Sequence, residues 1–149
     1  MSRKRCHRRP IVAQPPRGMR PRLRAAQVRD LGLCHAINLD AIATGTADAA
    51  TLWQWVGGVL TWSQVADVLQ AGVPEMQAQL EMVKRVIERF SRTGRVGFSG
   101  TDYQLAREGV QVMDQLSEVV DRATAVAAAE WSEERLNALV GRSDAGVRS

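Results

Sequence analysis

Apolar positions between residues 23 and 140 recur at the three- and four-residue steps of helices that share a core. The clearest stretch follows Pro74. Met76, Leu80, Val83, Ile87 and Phe90 step by 4, 3, 4 and 3, which predicts a helix with one narrow stripe. Pro74 suits its first turn, Glu75 sits near its positive end, and Thr93-Gly94 provide a stop. Glu81 with Arg85 and Glu88 with Arg92 are i,i+4 pairs in the favourable order.

Two helices are predicted before this one. The first begins just after Pro21 and places Leu23, Ala26, Leu31, Cys34, Ile37, Ala41 and Ile42 on a broad apolar face, with Gly45 after Thr44 as the stop. The second starts near Thr46 or Asp48, either of which can cap, and ends at Gly72. Leu52, Trp55, Val56, Val59, Trp62, Ala66 and Leu69 follow helical spacing within it. Gly57-Gly58 cost about 1 kcal/mol each against Ala, and mark a kink, a break or a close helix crossing.

A connector over 95–100 carries Phe98, a core plug, and Thr101-x-x-Gln104 fits a capping box. A fourth helix from Asp102 has the stripe Leu105, Gly109, Val112, Leu116, Val119, Ala123 and Val126, widened by Val110, Met113, Val120 and Ala127, and is expected to be central. Continued to Val140 it is about 60 Å long at 1.5 Å per residue, more than the other helices can flank. It therefore protrudes or breaks near Ser132, where Ser132-Glu133-Glu134 is a plausible cap. The fold class is all-α: a bundle of four to five helices over 23–140, with a disordered tail over 141–149 and no internal repeat.

Residues 1–22 break this pattern. Pro10, Pro15, Pro16 and Pro21 interrupt any helix, and charge repulsion favours an extended or disordered arm. Charge divides the chain at the same place. Residues 1–29 hold ten basic side chains and no acidic one, whereas the other ten basic residues face all 16 acidic ones, a net of −6. The pI near 9.8 is set by the arm. Of the 20 basic residues only Lys4 and Lys84 are lysines, and arginine brings planar, bidentate contacts to phosphate.

The candidate nucleic-acid contacts are therefore Arg3, Lys4, Arg5, Arg8 and Arg9, followed by Arg17, Arg20, Arg22 and Arg24. Arginine-rich segments of this kind act through phosphate neutralisation and order on binding, without telling DNA from RNA. An acidic protein surface satisfies the same charges, and a solubilising tail is the plain alternative. Trp55 and Trp62 share the second helix's stripe and read as core. Trp53 lies on another face and is the candidate anchor for a protein partner or for self-association, and the long fourth helix leaves a coiled-coil homodimer open.

Catalytic chemistry is poorly supplied. His7 and His35 are the only histidines, no nucleophile-elbow pattern accompanies them, and no phosphate loop is present. Cys6-His7 and Cys34-His35 lack the two-residue spacer of paired zinc ligands, and helical neighbours point about 100° apart. Neither an enzyme nor a metal or cofactor site is expected. The two cysteines read as free thiols, no segment has the length of apolar sequence that spans a bilayer, and no secretory signal follows the arginines, so a cytoplasmic protein without a membrane role is expected.

Arg8-Arg9-Pro10-Ile11-Val12 and the block Thr93-Gly94-Arg95-Val96-Gly97-Phe98-Ser99-Gly100-Thr101-Asp102-Tyr103 resemble short proteins encoded by phages and prophages of GC-rich proteobacteria. The resemblance covers most of the chain. It implies small helical proteins of a viral setting, in the bacterial host cell, with no assigned activity and no catalytic residues. The function expected is that of a non-enzymatic accessory or regulatory protein whose arm contacts nucleic acid. Two alternatives are a module that inhibits or redirects a host protein, such as a polymerase or a defence factor, and a component of virion structure or assembly.

Overall fold

The computed structural model describes residues 21–147, which form five helices: α1 (Ala25–Thr44), α2 (Ala49–Leu69), α3 (Val73–Thr93), α4 (Gly100–Val119) and α5 (Arg122–Val147). The fold is all-α, and no strand is formed among the described residues. Helix α2 touches each of the other four, whereas α4 and α5, adjacent in sequence, make no contact with each other.

The centre of the bundle is thus α2 and not α4. Leu52, Trp55, Val56, Val59, Trp62, Val65 and Ala66 are all buried on α2, which is apolar around much of its circumference. They meet Met76, Met82 and Val86 of α3, Val112 and Leu116 of α4, and Ala128 of α5. Each buried Val, Leu and Met among them contributes about 1.5–3 kcal/mol by leaving water. Gly57 and Gly58 do not break α2, and only at Gly57 is the neighbouring helix close enough for a side chain to crowd it. A Cβ on Gly57 would stand 3.3 Å from Leu136 of α5, and one on Gly58 would stand 3.8 Å from His35 of α1.

Local chemistry sets most helix ends. Asp48 caps α2, accepting from the Thr51 amide and hydroxyl at 2.8 Å each. The α2 stop is Gln70, in the left-handed conformation at φ 50°, and Gly72 opens α3 instead of closing α2. Gly94 ends α3 at φ 68°, its amide donating to the Phe90 carbonyl at 2.8 Å. Ser99, rather than Thr101, caps α4: its hydroxyl accepts from the Asp102 amide at 3.1 Å. Phe98 is half-buried in the preceding loop and meets Trp55 edge to face at 5.2 Å between centroids.

Three expectations are corrected. The long fourth helix breaks at Val120-Asp121 and not near Ser132, because Asp121 accepts from the Thr124 amide at 3.0 Å and from its hydroxyl at 2.6 Å and so starts a new helix. Ser132 lies buried within α5, its hydroxyl 2.6 Å from that of Thr61. Helix α5 runs on past Gly141 to Val147, across residues read from sequence as a tail. On α1 the inward side is Leu31, His35, Leu39 and Ile42, while Ala26, Cys34 and Ile37 are exposed.

Candidate nucleic-acid interface

The point where the basic arm leaves the bundle is built from three short contacts. Leu23 packs against the core. The Pro21 carbonyl accepts from the Arg122 amide at 2.9 Å, and Arg22 pairs in an isolated antiparallel bridge with Asp121. The chain leading into α1 is therefore fixed to the α4–α5 junction.

This attachment brings together side chains far apart in sequence. Arg22 and Arg24, both among the arm residues singled out above, are exposed at the start of α1, and exposed Arg122 stands beside them at the start of α5. The amino-terminal ends of both helices lie here, and neither first turn carries an acidic side chain. Both positive helix ends thus add to the three guanidinium charges. The neighbouring carboxylate, Asp121, is engaged by Thr124. Arg122 was not singled out from sequence, since only the Pro21–Arg122 contact reveals its place.

The other arm candidates, Arg3, Lys4, Arg5, Arg8, Arg9, Arg17 and Arg20, lie outside the described residues, as do Cys6 and His7. Trp53 is half-buried and packs against the core. The indole that borders a surface groove is Trp131 of α5. That groove, about 380 Å³, runs between α2, α3 and α5 and is lined by Leu60, Leu80, Ile87, Trp131 and Leu139 together with polar side chains that include Asp67, Lys84 and Arg135. The Arg135 guanidinium lies 4.9 Å from the Trp131 ring centroid.

Two buried polar clusters lie elsewhere. His35 is buried on α1, accepts from Trp62 Nε1 and has Asp114 of α4 3.8 Å from its Nδ1. Burial holds the imidazole below its usual range against the opposing pull of Asp114, and burial likewise raises Asp114. Asp102, 3% exposed, receives Arg85 at 2.9 Å and lies 3.7 Å from Arg89, tying the end of α3 to the start of α4. Arg85 thus serves Asp102, and Glu81 pairs with Lys84 at 3.1 Å instead. Neither cluster opens onto a described cavity.

Cys34 is exposed, and no group of three or more His, Cys, Asp or Glu side chains is gathered to hold a metal among the described residues. No described helix is long and apolar enough to cross a membrane. No protein-family model, curated protein or solved structure matches the chain.

Proposed function

We propose that the chain is a non-enzymatic accessory or regulatory protein whose arginine-rich arm contacts the phosphates of nucleic acid. The observation that carries this reading is the continuity of charge: the basic run of residues 3–20 continues onto the bundle as Arg22, Arg24 and Arg122 at two helix amino termini. The rest of the bundle is acidic, so a polyanion is drawn to this end and repelled from the others. The resemblance of the sequence to phage-encoded proteins supports a bacterial host cell as the setting of this activity.

The test is binding of duplex DNA and of single-stranded RNA by the full chain, by a variant lacking residues 2–20, and by Arg22→Ala/Arg24→Ala/Arg122→Ala. Deletion is expected to abolish binding, and the triple substitution to weaken it without changing sequence preference. Unchanged affinity in the deletion variant would overturn the reading.

A second reading is favoured by the groove at Trp131. An apolar trough with a stacked Trp–Arg pair on its wall suits an amphipathic helix of a protein partner. Capture of one host protein that survives nuclease and arm deletion, but not Trp131→Ala, would support it over the first reading.

A further inference from the structure

Helix α1 is apolar on two opposite sides. The inner side buries His35 and Ile42 and packs Leu31 and Leu39 on the core. The outer side exposes Leu33 at 54% and Ile37 at 64%, and Ile37 is the most exposed large apolar side chain among the described residues. The other described residues leave this outer apolar side largely uncovered.

The polar residues flanking that side indicate which partner fits. On an α-helix, Arg29, Leu33, Ala36 and Asp40 fall within about 60° of one another, with Ile37 about 40° beyond Leu33. All five are exposed. Neither Arg29 nor Asp40 has an ion-pair partner among the described residues. From amino to carboxyl end the stripe reads basic, apolar, small, acidic, with exposed Asp30 bordering it about 20° beyond Ile37. A second copy laid antiparallel sets Arg29 of each copy opposite Asp40 of the other, and Leu33 opposite Ala36, whose small side chain admits close approach. Parallel alignment would oppose like charges. A uniformly acidic or basic peptide would match only half of the stripe.

We propose that the outer face of α1 is a homodimer interface, formed by antiparallel packing of α1 against a second copy of this chain. The contact is isologous, as a two-fold pair requires. One helix laid along another lies at the small end of specific interfaces, so the dimer is reversible with a dissociation constant in the micromolar range. The two arms then leave at opposite ends of the pair, about 30 Å apart along the helices. The dimer itself does not depend on what the arms bind.

Sedimentation equilibrium of the nuclease-treated full chain tests this. Ile37→Glu should give a monomer with unchanged helical circular dichroism. Arg29→Asp and Asp40→Arg should each weaken the dimer about tenfold or more, and the two together in one chain should restore it. A monomer up to about 1 mM, a dimer that none of the three single variants weakens, or a double variant no better than the singles would each overturn the proposal.

Discussion

The Trp62 indole donates its Nε1–H to His35 Nε2 over 3.0 Å, and this contact between α1 and α2 dictates the state of the imidazole. An indole N–H can only donate, so Nε2 must be unprotonated, and the remaining ring proton of neutral His35 sits on Nδ1, toward Asp114. Protonation would set two N–H groups against each other inside the bundle.

The pH dependence of stability follows with a definite sign. Burial lowers the folded pKa of His35, so the unfolded chain takes up this proton first as pH falls. The contribution is complete above about pH 6.5, the unfolded value, and is lost as pH falls toward the folded one. Asp114, raised by burial, acts in the opposite sense, nearer the ordinary carboxylate range. Urea unfolding at several pH values should show stability falling below neutrality, and His35→Gln, which can keep an acceptor for Trp62, should flatten that slope. An equal slope in the variant would contradict the assignment.

Gly109 of α4 is fixed by Gln79 of α3. The Gln79 side chain occupies the place of the missing Cβ and donates from Nε2 to the Leu105 carbonyl at 2.6 Å. Gly109→Ala should destabilise by about 1–3 kcal/mol through overpacking, although alanine is the better helix former. Gln79→Ala in the same chain should recover part of that loss, and thermal unfolding of the two singles and the double measures the coupling.

Asp102 joins α3 to α4 through side chains that keep access to water: Arg85 is 49% and Arg89 33% exposed, against 4% for the carboxylate. Removing the carboxylate leaves two solvated guanidinium groups and no stranded charge. Asp102→Ala should therefore cost about 1–3 kcal/mol, less than breaking a fully buried pair. Asp102→Asn should cost less than alanine if shape matters more than charge, and chemical unfolding of both variants separates the two.

How far the fold could be read from sequence depended on how one-sided each helix is. Helix α3, with polar residues over most of its surface, was legible from end to end. Its buried side nevertheless takes in Gln79, Met82 and Val86 beside the predicted Met76 and Val83. Helix α1 misled because apolar residues lie on both sides, and spacing alone cannot say which side meets the core. The α4–α5 break was hidden because Val119, Val120 and Ala123 carry the apolar rhythm across it; Asp121, a good capping residue before Arg122, was the available signal. Of the candidate interface, the charge division was legible. The addition of Arg122 was not, since it needs the pairing of residues 21–22 with 121–122.

The claim that the arm acts through phosphate neutralisation is tested most directly by the salt dependence of duplex DNA affinity, full chain against the variant lacking residues 2–20. If the five basic residues of the segment 3–9 alone engage phosphates, log affinity should fall with log salt at a slope of about −4.5, steeper if the arm root joins. The deletion variant should show no measurable affinity at any of these salt concentrations. A flat dependence for the full chain, or the same slope in both proteins, would contradict the account.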